Sequence, residues 1–306
     1  MNQRLEMLRE LQYERIRAGR RKKKILLFLL ILFVALLGTI IYVISENNMK
    51  KFEITQYSLN SNKITEDHTI VLLSDLHNNE FSMDNEKLIQ AVKQCNPNFI
   101  IMCGDMVLKD DPNINVIMNL CEKLREFSEI YYVLGNHEGI LEYMEGGLQI
   151  PLDKYLFEMG VTVCYPGAYT IKDGVDEINL FSVSMTEESF QEDYDLQEQL
   201  DIFLQNDGYK ILVSHYPTTL YNTLYDEDYD LGVAGHFHGG QIIIPGLGGL
   251  YHKDAGFFPK YYGGLFNLGK AQLIVTRGLG SSSFIPRINN IPEMVLINLR
   301  AQSDNK

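Results

Sequence analysis

The sequence predicts an α/β body of stacked sheets flanked by helices, preceded by one N-terminal membrane-spanning helix. Three observations predict it. Strand-like apolar runs alternate with helical periodicity in the first half of the body. Short strand-like runs dominate the second half. A stretch of 20 apolar, uncharged residues precedes both.

That stretch is Ile25–Ile44, ILLFLLILFVALLGTIIYVI. As a helix it is about 30 Å long, the thickness of a bilayer core. It lacks the polar stripe of a buried soluble helix. The RRKKK block at Arg20–Lys24 abuts its N-terminal end, and the next positive charges are Lys50 and Lys51. The positive-inside rule then keeps the N-terminus cytoplasmic and carries the body across the cell membrane. A cleaved signal peptide is the alternative, but the run exceeds a signal's apolar region and no A-x-A site follows. In residues 1–19, Leu5, Leu8, Leu11 and Ile16 have helical spacing, which fits a membrane-surface helix or a solvated tail. The expected order is a basic cytoplasmic segment 1–24, a span 25–44, a linker 45–68 and one domain over 69–300.

Residues 1–24 hold nine basic and three acidic side chains, so a chain of net charge −13 leaves −19 on the remainder. So acidic a body repels nucleic-acid backbones, and no nucleic acid is expected as a partner. Cys95, Cys103, Cys121 and Cys164 form no CxxC pair and read as free thiols, with pairing left open.

Thr69–Leu73 reads as a buried strand, followed by a helix over Asn85–Cys95 with Asp84 as its N-cap. Phe99–Met102 and Ile130–Val133 are strand-like and enclose a helical pattern over Ile114–Phe127. Leu148–Met159 reads as a helix stopping at Gly160. Val161–Val163, Ile178–Val183, Lys210–Val213, Leu231–Ala234, Gln241–Ile244, Leu273–Thr276 and Met294–Ile297 read as short strands. One acidic helix, Glu188–Leu204, interrupts them.

The chemistry lies just past the strands. TIVLL is followed by SDLHNN, with Asp75 and His77; FIIM by CGD, with Asp105; IYYV by LGNHE, with Asn136 and His137. KILV is followed by SHYP, with His215, and LGVA by GHFHGG, with His236 and His238. Strand ends hold short loops rigidly side by side, which is why ligands bind at that edge of open α/β sheets. Five of the seven histidines fall in these loops; only His68 and His252 do not. Aspartate supplies charge and can bridge two ions, and imidazole suits Zn, Fe, Mn or Ni. Neighbouring glycines allow sharp turns and close backbone approach. Two carboxylates, one amide and four imidazoles are too many donors for one ion with open positions; they suit two ions sharing a bridge.

The set SDLH, GD, GNHE, SH and GHFHGGQ resembles the calcineurin-like metallophosphoesterase superfamily. The tail VTRGLGSSSFIPRINNIPEMVLINL is similar to its YkuE-like branch of membrane-associated phosphoesterases. The resemblance covers residues 65–300 and implies a four-layer α/β/β/α sandwich with a dinuclear centre of Mn, Fe or Zn. It implies that Asp75, His77, Asp105 and His238 hold one ion, and that Asp105, Asn136, His215 and His236 hold the other. His137 would contact the phosphate and protonate the leaving oxygen, with Glu138 orienting it. A metal-bridging hydroxide would attack a phosphodiester or pyrophosphate bond, in a lipid- or wall-linked compound; a phosphomonoesterase or nucleotidase on the same site, or a catalytically silent metal-binding interaction module, is the alternative. Leu108 stands where purple acid phosphatases carry a Tyr ligand. GDMVLKD lacks the phosphate-gripping Arg of the Ser/Thr protein phosphatases' GD-x-VDRG.

Two segments were open to a role in substrate choice. Gly246–Lys270 could lie over the metals as a lid, with Tyr251, Phe257, Phe258, Tyr261, Tyr262 and Phe266 lining an apolar cleft for an amphiphilic substrate, or could close the sandwich edge. RGLGSSS at Arg277–Ser283 could form a backbone anion nest with Arg277 on a phosphate, beside Asn136, or a simple turn. Cys103, beside a strand, reads as core rather than nucleophile.

Overall fold

The computed structural model describes residues 2–142, 151–184 and 186–302. The chain divides into two compact units, Met1–Glu46 and Asn47–Lys306. The first is formed by α1 (Asn2–Met49), whose last three residues fall in the second unit; it is one unbroken helix whose stretch Leu11–Met49 is long and apolar enough to cross a membrane. Its side chains Leu26, Phe28 and Phe33 are exposed, as an apolar surrounding would require. Residues 2–24 continue the same helix; Leu11 and Ile16 are exposed, and the side chains of Leu5 and Leu8 lie outside the described ones.

In the second unit the first sheet is built from β1 (Glu53–Ser61), β2 (His68–Leu73), β3 (Phe99–Cys103), β4 (Glu129–Val133), β5 (Thr162–Cys164) and the last strand of the chain, Glu293–Ala301. The second is built from β6 (Gly167–Asp173), β7 (Asp176–Ser182), β8 (Tyr209–Ser214), β9 (Leu231–Ala234) and a later pair. Four two-residue strands intervene: β10 (Ile243–Ile244) with β11 (Gly248–Gly249), and β12 (Tyr251–His252) with β13 (Gly256–Phe257). The later pair is β14 (Gly264–Leu268) and β15 (Ala271–Val275), which makes the last strand β16. Strand order is β1-β16-β2-β3-β4-β5 in one sheet and β14-β15-β9-β8-β7-β6 in the other. Strands β2 to β5 run parallel, as do β7, β8, β9 and β15, so their C-terminal ends share one edge of each sheet.

Side-chain alternation makes the layers. Ile70, Leu72, Phe99 and Ile101 pack with Leu180, Ile211, Val213 and Val233 between the sheets. Val71, Leu73, Ile100 and Met102 point the other way, against α2 (Glu86–Cys95) and α3 (Asn115–Arg125) through Leu88, Val92, Ile117 and Leu120. Phe181, Leu212 and Leu273 are covered from outside by Leu200 and Phe203 of α7 (Tyr194–Leu204). The result is the expected α/β/β/α sandwich. α4 (Asn136–Glu142) and α5 (Leu152–Glu158) follow β4, and α6 (Glu187–Glu192) precedes α7.

Several local expectations need correcting. The stretch 45–68 is not all linker, because β1 pairs in parallel with β16 along nine residues. Asp84 is not the N-cap of α2: it has φ 53°, and Asn85 precedes the helix in the left-handed region without a side-chain cap. Asn85 instead turns back, accepting from Phe81 N (3.0 Å) and donating to Asn79 O (3.1 Å). Ser82 Oγ accepts from Lys87 N at 2.9 Å. The helix expected over Glu188–Leu204 breaks at Asp193, whose carboxylate caps α7 by accepting from Leu196 N at 3.0 Å. Of the helix expected over Leu148–Met159, residues 148–150 lie outside the described ones, and α5 covers Leu152–Glu158. Of Gln241–Ile244 only Ile243–Ile244 is strand. The four cysteines are unpaired, and Cys103, Cys121 and Cys164 are buried.

The sheets are also tied by a buried ionic cluster. His68 opens β2, and its ring lies between Asp173 (Nδ1, 2.7 Å) and Asp176 (Nε2, 2.8 Å) of the β6–β7 hairpin. Asp176 also accepts from Thr65 N and Glu66 N. Burial alone would depress the His68 pKa, but the two carboxylates outweigh it and raise it above the usual value. Burial would raise Asp176, yet His68 and the backbone N–H groups bring it down to about 2. A raised histidine stabilises below its unfolded pKa of about 6.5 and loses that contribution as pH rises through its folded value. A depressed aspartate stabilises above about 3.9 and loses its contribution as pH falls toward its folded value. The cluster therefore contributes fully between about pH 4 and 6.5. His68→Gln should flatten the loss of thermal stability that the parent shows between pH 6 and pH 8.5. Parallel melting curves across that window would refute the assignment.

Candidate metal centre

The loops after β2, β3, β4, β8 and β9 meet at one edge of the stacked sheets. Asp75 follows β2, Asp105 follows β3, Asn136 and His137 follow β4, His215 follows β8, and His236 and His238 follow β9. To aim inward, Asp75, His77, Asp105, His236 and His238 all adopt positive φ, between 47° and 69°. For residues with a Cβ that conformation costs on the order of 1 kcal/mol each, so the surroundings must hold them there. Two glycines are required by contact. A Cβ on Gly135 would collide with the Asp105 carboxylate, and one on Gly235 with Ser74 and Asp75.

The donor atoms gather into groups that Asp105 joins. Asp75, His77 and His238 form one, with His77 Nε2 3.2 Å from His238 Nε2 and His238 Nε2 3.6 Å from Asp75 Oδ1. Asp105, His215 and His236 form another, with His215 Nε2 3.3 Å from Asp105 Oδ2 and 3.0 Å from His236 Nδ1. Asp105 Oδ2 also lies 3.9 Å from His77 Nε2 and 3.8 Å from His137 Nε2. Six of the seven residues named as ligands are thus within reach of one another. The seventh, Asn136, lines the same cleft, and its buried Oδ1 has no hydrogen-bond partner. A buried carbonyl oxygen left bare in a cleft that Asp105 also lines is costly unless a donor or a cation completes it.

The imidazole protons can be read from their partners. His77 Nδ1 faces Val107 O at 3.3 Å, and His215 Nδ1 faces Cys103 O at 2.9 Å. Each must donate there, so in the neutral ring Nε2 is the lone pair toward the cluster. Lys109 N donates to His137 Nδ1 at 3.0 Å, so neutral His137 carries its proton on Nε2. Burial pushes His77 down to about 3 and lowers His137, His236 and His238, which keeps them neutral. Burial would depress His215 too, but the Asp105 carboxylate raises it to about 10. Burial raises Asp75 to about 6; Asp105 sits below the usual carboxylate range because His215 outweighs its burial. Without a cation, the proton that Asp105 draws to His215 Nε2 compensates the buried carboxylate; a divalent cation would displace that proton and take up the lone pair. With His238 Nδ1 freed from Arg287 Nη2, the residues present fit bound divalent metal.

Sequence reasoning missed or misplaced five features. Glu138 does not orient His137. Its buried carboxylate accepts from Asp105 N (2.9 Å), Met106 N (2.8 Å), Gly135 N (2.9 Å) and Tyr132 Oη (2.8 Å), pinning the Asp105 loop. Arg277 is not offered to substrate: its guanidinium is taken by Glu293 and Glu53. The anion nest is absent as well. The N–H groups of 277, 278, 279 and 280 go to Glu293, Thr276 Oγ1, Ser74 O and Asp75 O. Arg287 was overlooked; fully buried, it places Nη2 3.1 Å from His238 Nδ1. Asp254, also overlooked, lies 2.7 Å from His236 Nε2. No spacing pattern marked either residue.

A cleft of about 910 Å³ opens over the cluster. Of the aromatics expected to line it, Tyr251 does. Phe257 and Phe258 face outward, and Tyr261 packs on Tyr221 and Phe266 at the sheet edge. The cleft wall instead takes Leu108, Ile140, Phe284 and Ile285 as its apolar members.

Aspartates and imidazoles buried together at the strand ends of an α/β/β/α sandwich define a metal-dependent hydrolase. The chain belongs to the calcineurin-like phosphoesterase family, whose sequence model matches residues 68–240. A metallophosphoesterase of Campylobacter jejuni, Cj0846, is 28% identical over 300 residues, covering 93% of this chain and 74% of that protein. The metallophosphoesterase YkuE of Bacillus subtilis is 25% identical over 258 residues, 81% of this chain and 86% of its own. The phosphodiesterase YaeI of Escherichia coli is 26% identical over 237 residues, 75% and 81%. The chain is a phosphoester hydrolase.

Removing the Glu138 carboxylate strands three buried N–H donors, each costing about 1–3 kcal/mol. Glu138→Ala should lower the unfolding free energy by about 3 kcal/mol or more in a urea titration. A loss below about 1 kcal/mol would mean the carboxylate does not hold the loop.

Proposed function

We propose that the chain is a membrane-anchored phosphodiesterase that works with two divalent cations and whose body lies outside the cytoplasm. The observation that carries this reading is the convergence on Asp105, with donors grouped on either side and the bare Asn136 oxygen beside them. Asp75, His77, Asp105 and His238 would hold one ion, and Asp105, Asn136, His215 and His236 the other. When bound, two ions of Mn, Fe or Zn would make a water acidic enough to ionise near neutral pH and would neutralise phosphate oxygens.

The protein's own part is proton placement and orientation. His137 presents Nε2–H to the cleft, with its Nδ1 occupied by Lys109 N–H. It can donate a hydrogen bond to a phosphoryl oxygen and pass that proton to the departing oxygen. Glu138 fixes the loop from which Asp105 projects, so the reacting groups need little rearrangement.

Charge favours a diester over a monoester. Beyond Asp105, the cleft carries Lys109 and Lys253 against Asp110, Glu187, Glu188 and Asp254, and no arginine among the described residues. Such a surface receives a singly charged diester more readily than a dianion. The similarity to YaeI, named a phosphodiesterase, points the same way. Apolar Leu108, Ile140, Phe284 and Ile285 on the cleft wall favour a diester with an apolar part, such as a lipid-linked phosphodiester. The basic block at Arg20–Lys24 supports a cytoplasmic N-terminus.

Metal-reconstituted full-length protein in detergent should show a higher kcat/KM for bis-p-nitrophenyl phosphate than for p-nitrophenyl phosphate. The reverse order would favour a phosphomonoesterase. His137→Ala should lower kcat by about 100-fold or more while retaining parental metal content. Unchanged turnover would remove His137 from the mechanism.

A further inference from the structure

We propose that Asp254 is a positioning residue for His236. Its carboxylate holds the imidazole proton on Nε2 and so keeps the Nδ1 lone pair turned toward Asp105 and His215. The proposal rests on reading His236 as a metal ligand.

The four clustered imidazoles do not face the site with the same atom. His77 and His215 offer Nε2, and each has a backbone carbonyl behind it to take the Nδ1 proton. His236 is reversed. Its Nδ1 lies 3.0 Å from His215 Nε2, and its Nε2 points away from Asp105. Behind that outward nitrogen stands Asp254 Oδ2 at 2.7 Å. Asp254, eighteen residues along the chain, thus does for His236 what a carbonyl does for the other two. Without an acceptor there, a neutral imidazole is free to carry its proton on Nδ1, where it would face the site and block ligation.

The segment bearing Asp254 is fastened to the H-x-H loop it serves. Leu250 N donates to Ile242 O at 2.8 Å, and Phe258 N to Leu250 O at 3.0 Å, closing the base of the β12–β13 hairpin. The His252 ring stacks on Phe237, the residue between the two histidines, with centroids 4.6 Å apart, and meets His236 edge-on at 4.8 Å. Asp254 N donates to His252 Nδ1 at 3.2 Å. The carboxylate is therefore delivered by a braced turn. His236, His252 and Asp254 do lie close enough to suggest a third metal group. A neutral imidazole that gives Nδ1 to one cation retains its proton on Nε2, however, and that nitrogen is closed to a second cation.

The test compares Asp254→Asn, Asp254→Leu, Asp254→Glu and His236→Ala in full-length protein in detergent. Mn2+ titration calorimetry reads affinity and stoichiometry. Nitrogen-15 NMR of histidine-labelled, metal-free protein reads the tautomers. Asp254→Leu should weaken one of two Mn2+ equivalents by about 10–100-fold and leave the other unchanged. In Asp254→Leu one Nε2-protonated signal of the parent should also disappear. Asp254→Asn should fall between Leu and the parent, because its amide oxygen can accept from Nε2 while its NH2 can instead donate there and draw the proton to Nδ1. Asp254→Glu should restore affinity to within a few-fold of the parent. Parental affinity or an unchanged tautomer in Asp254→Leu would overturn the proposal, provided His236→Ala has lost one equivalent. If His236→Ala itself keeps both equivalents at parental affinity, the ligand reading fails and the proposal falls with it.

Discussion

Asp75 and Asp105 are carboxylates buried side by side at the ends of neighbouring parallel strands, and much of the molecule is arranged around the cost of keeping them there. Solvent cannot reach them, so their charge has to be met by protein dipoles, imidazoles and cations. Asp75 accepts from Ser74 Oγ and His236 N, and Asp105 accepts from His137 N. The positive φ angles, the glycines at 135 and 235, and the Glu138 brace all serve to bring these acceptors within reach of the histidines. The two carboxylates also explain why the loops come from both sheets. The β2, β3 and β4 ends supply both carboxylates, the amide and two imidazoles, while the β8 and β9 ends supply three more imidazoles.

Much of this was legible from residue type and order. Short apolar runs followed at once by Asp, His or Asn can be read without knowing the fold, because a parallel strand buried on both faces is apolar along its length and its polar residues collect where it ends. What escaped was of two kinds. The strands β1, β6 and β14 are all edge strands, and each buries little: Leu59 is the buried residue of β1, and Gly167 and Ile171 are those of β6. An edge strand half covered on one face has no strong period to detect. The second kind is charge placement. Arg277 was expected at the phosphate, yet it lies beside two glutamates that only the pairing of β1 with β16 brings near. Asp254 follows Lys253 in a glycine- and aromatic-rich stretch, and Arg287 is the lone charge in SSSFIPRINNIP. Their relation to His236 and His238 exists in three dimensions alone.

The hairpin that carries Asp254 and the loop that carries Lys109 play related parts on the two sides of the cleft. Each controls an imidazole through its outward nitrogen, one by accepting and one by donating, so one ring is prepared as a lone pair and the other as a proton donor. Two chemically identical side chains are thereby assigned different work by what stands behind them. The acidic rim and the apolar wall of the cleft are separate features, which neither hairpin nor loop determines alone.

The position of β16 bears on how the molecule is made. This last strand lies between β1 and β2, paired in parallel with one and antiparallel with the other. Until residues 293–301 have been synthesised, two of the earliest strands have no neighbour between them, and Glu293 is not there to receive Thr55 Oγ1 or Arg277 N. Pairings so distant along the chain are slow to close. The first sheet therefore lacks the strand that joins β1 to β2 until residues 293–301 are available.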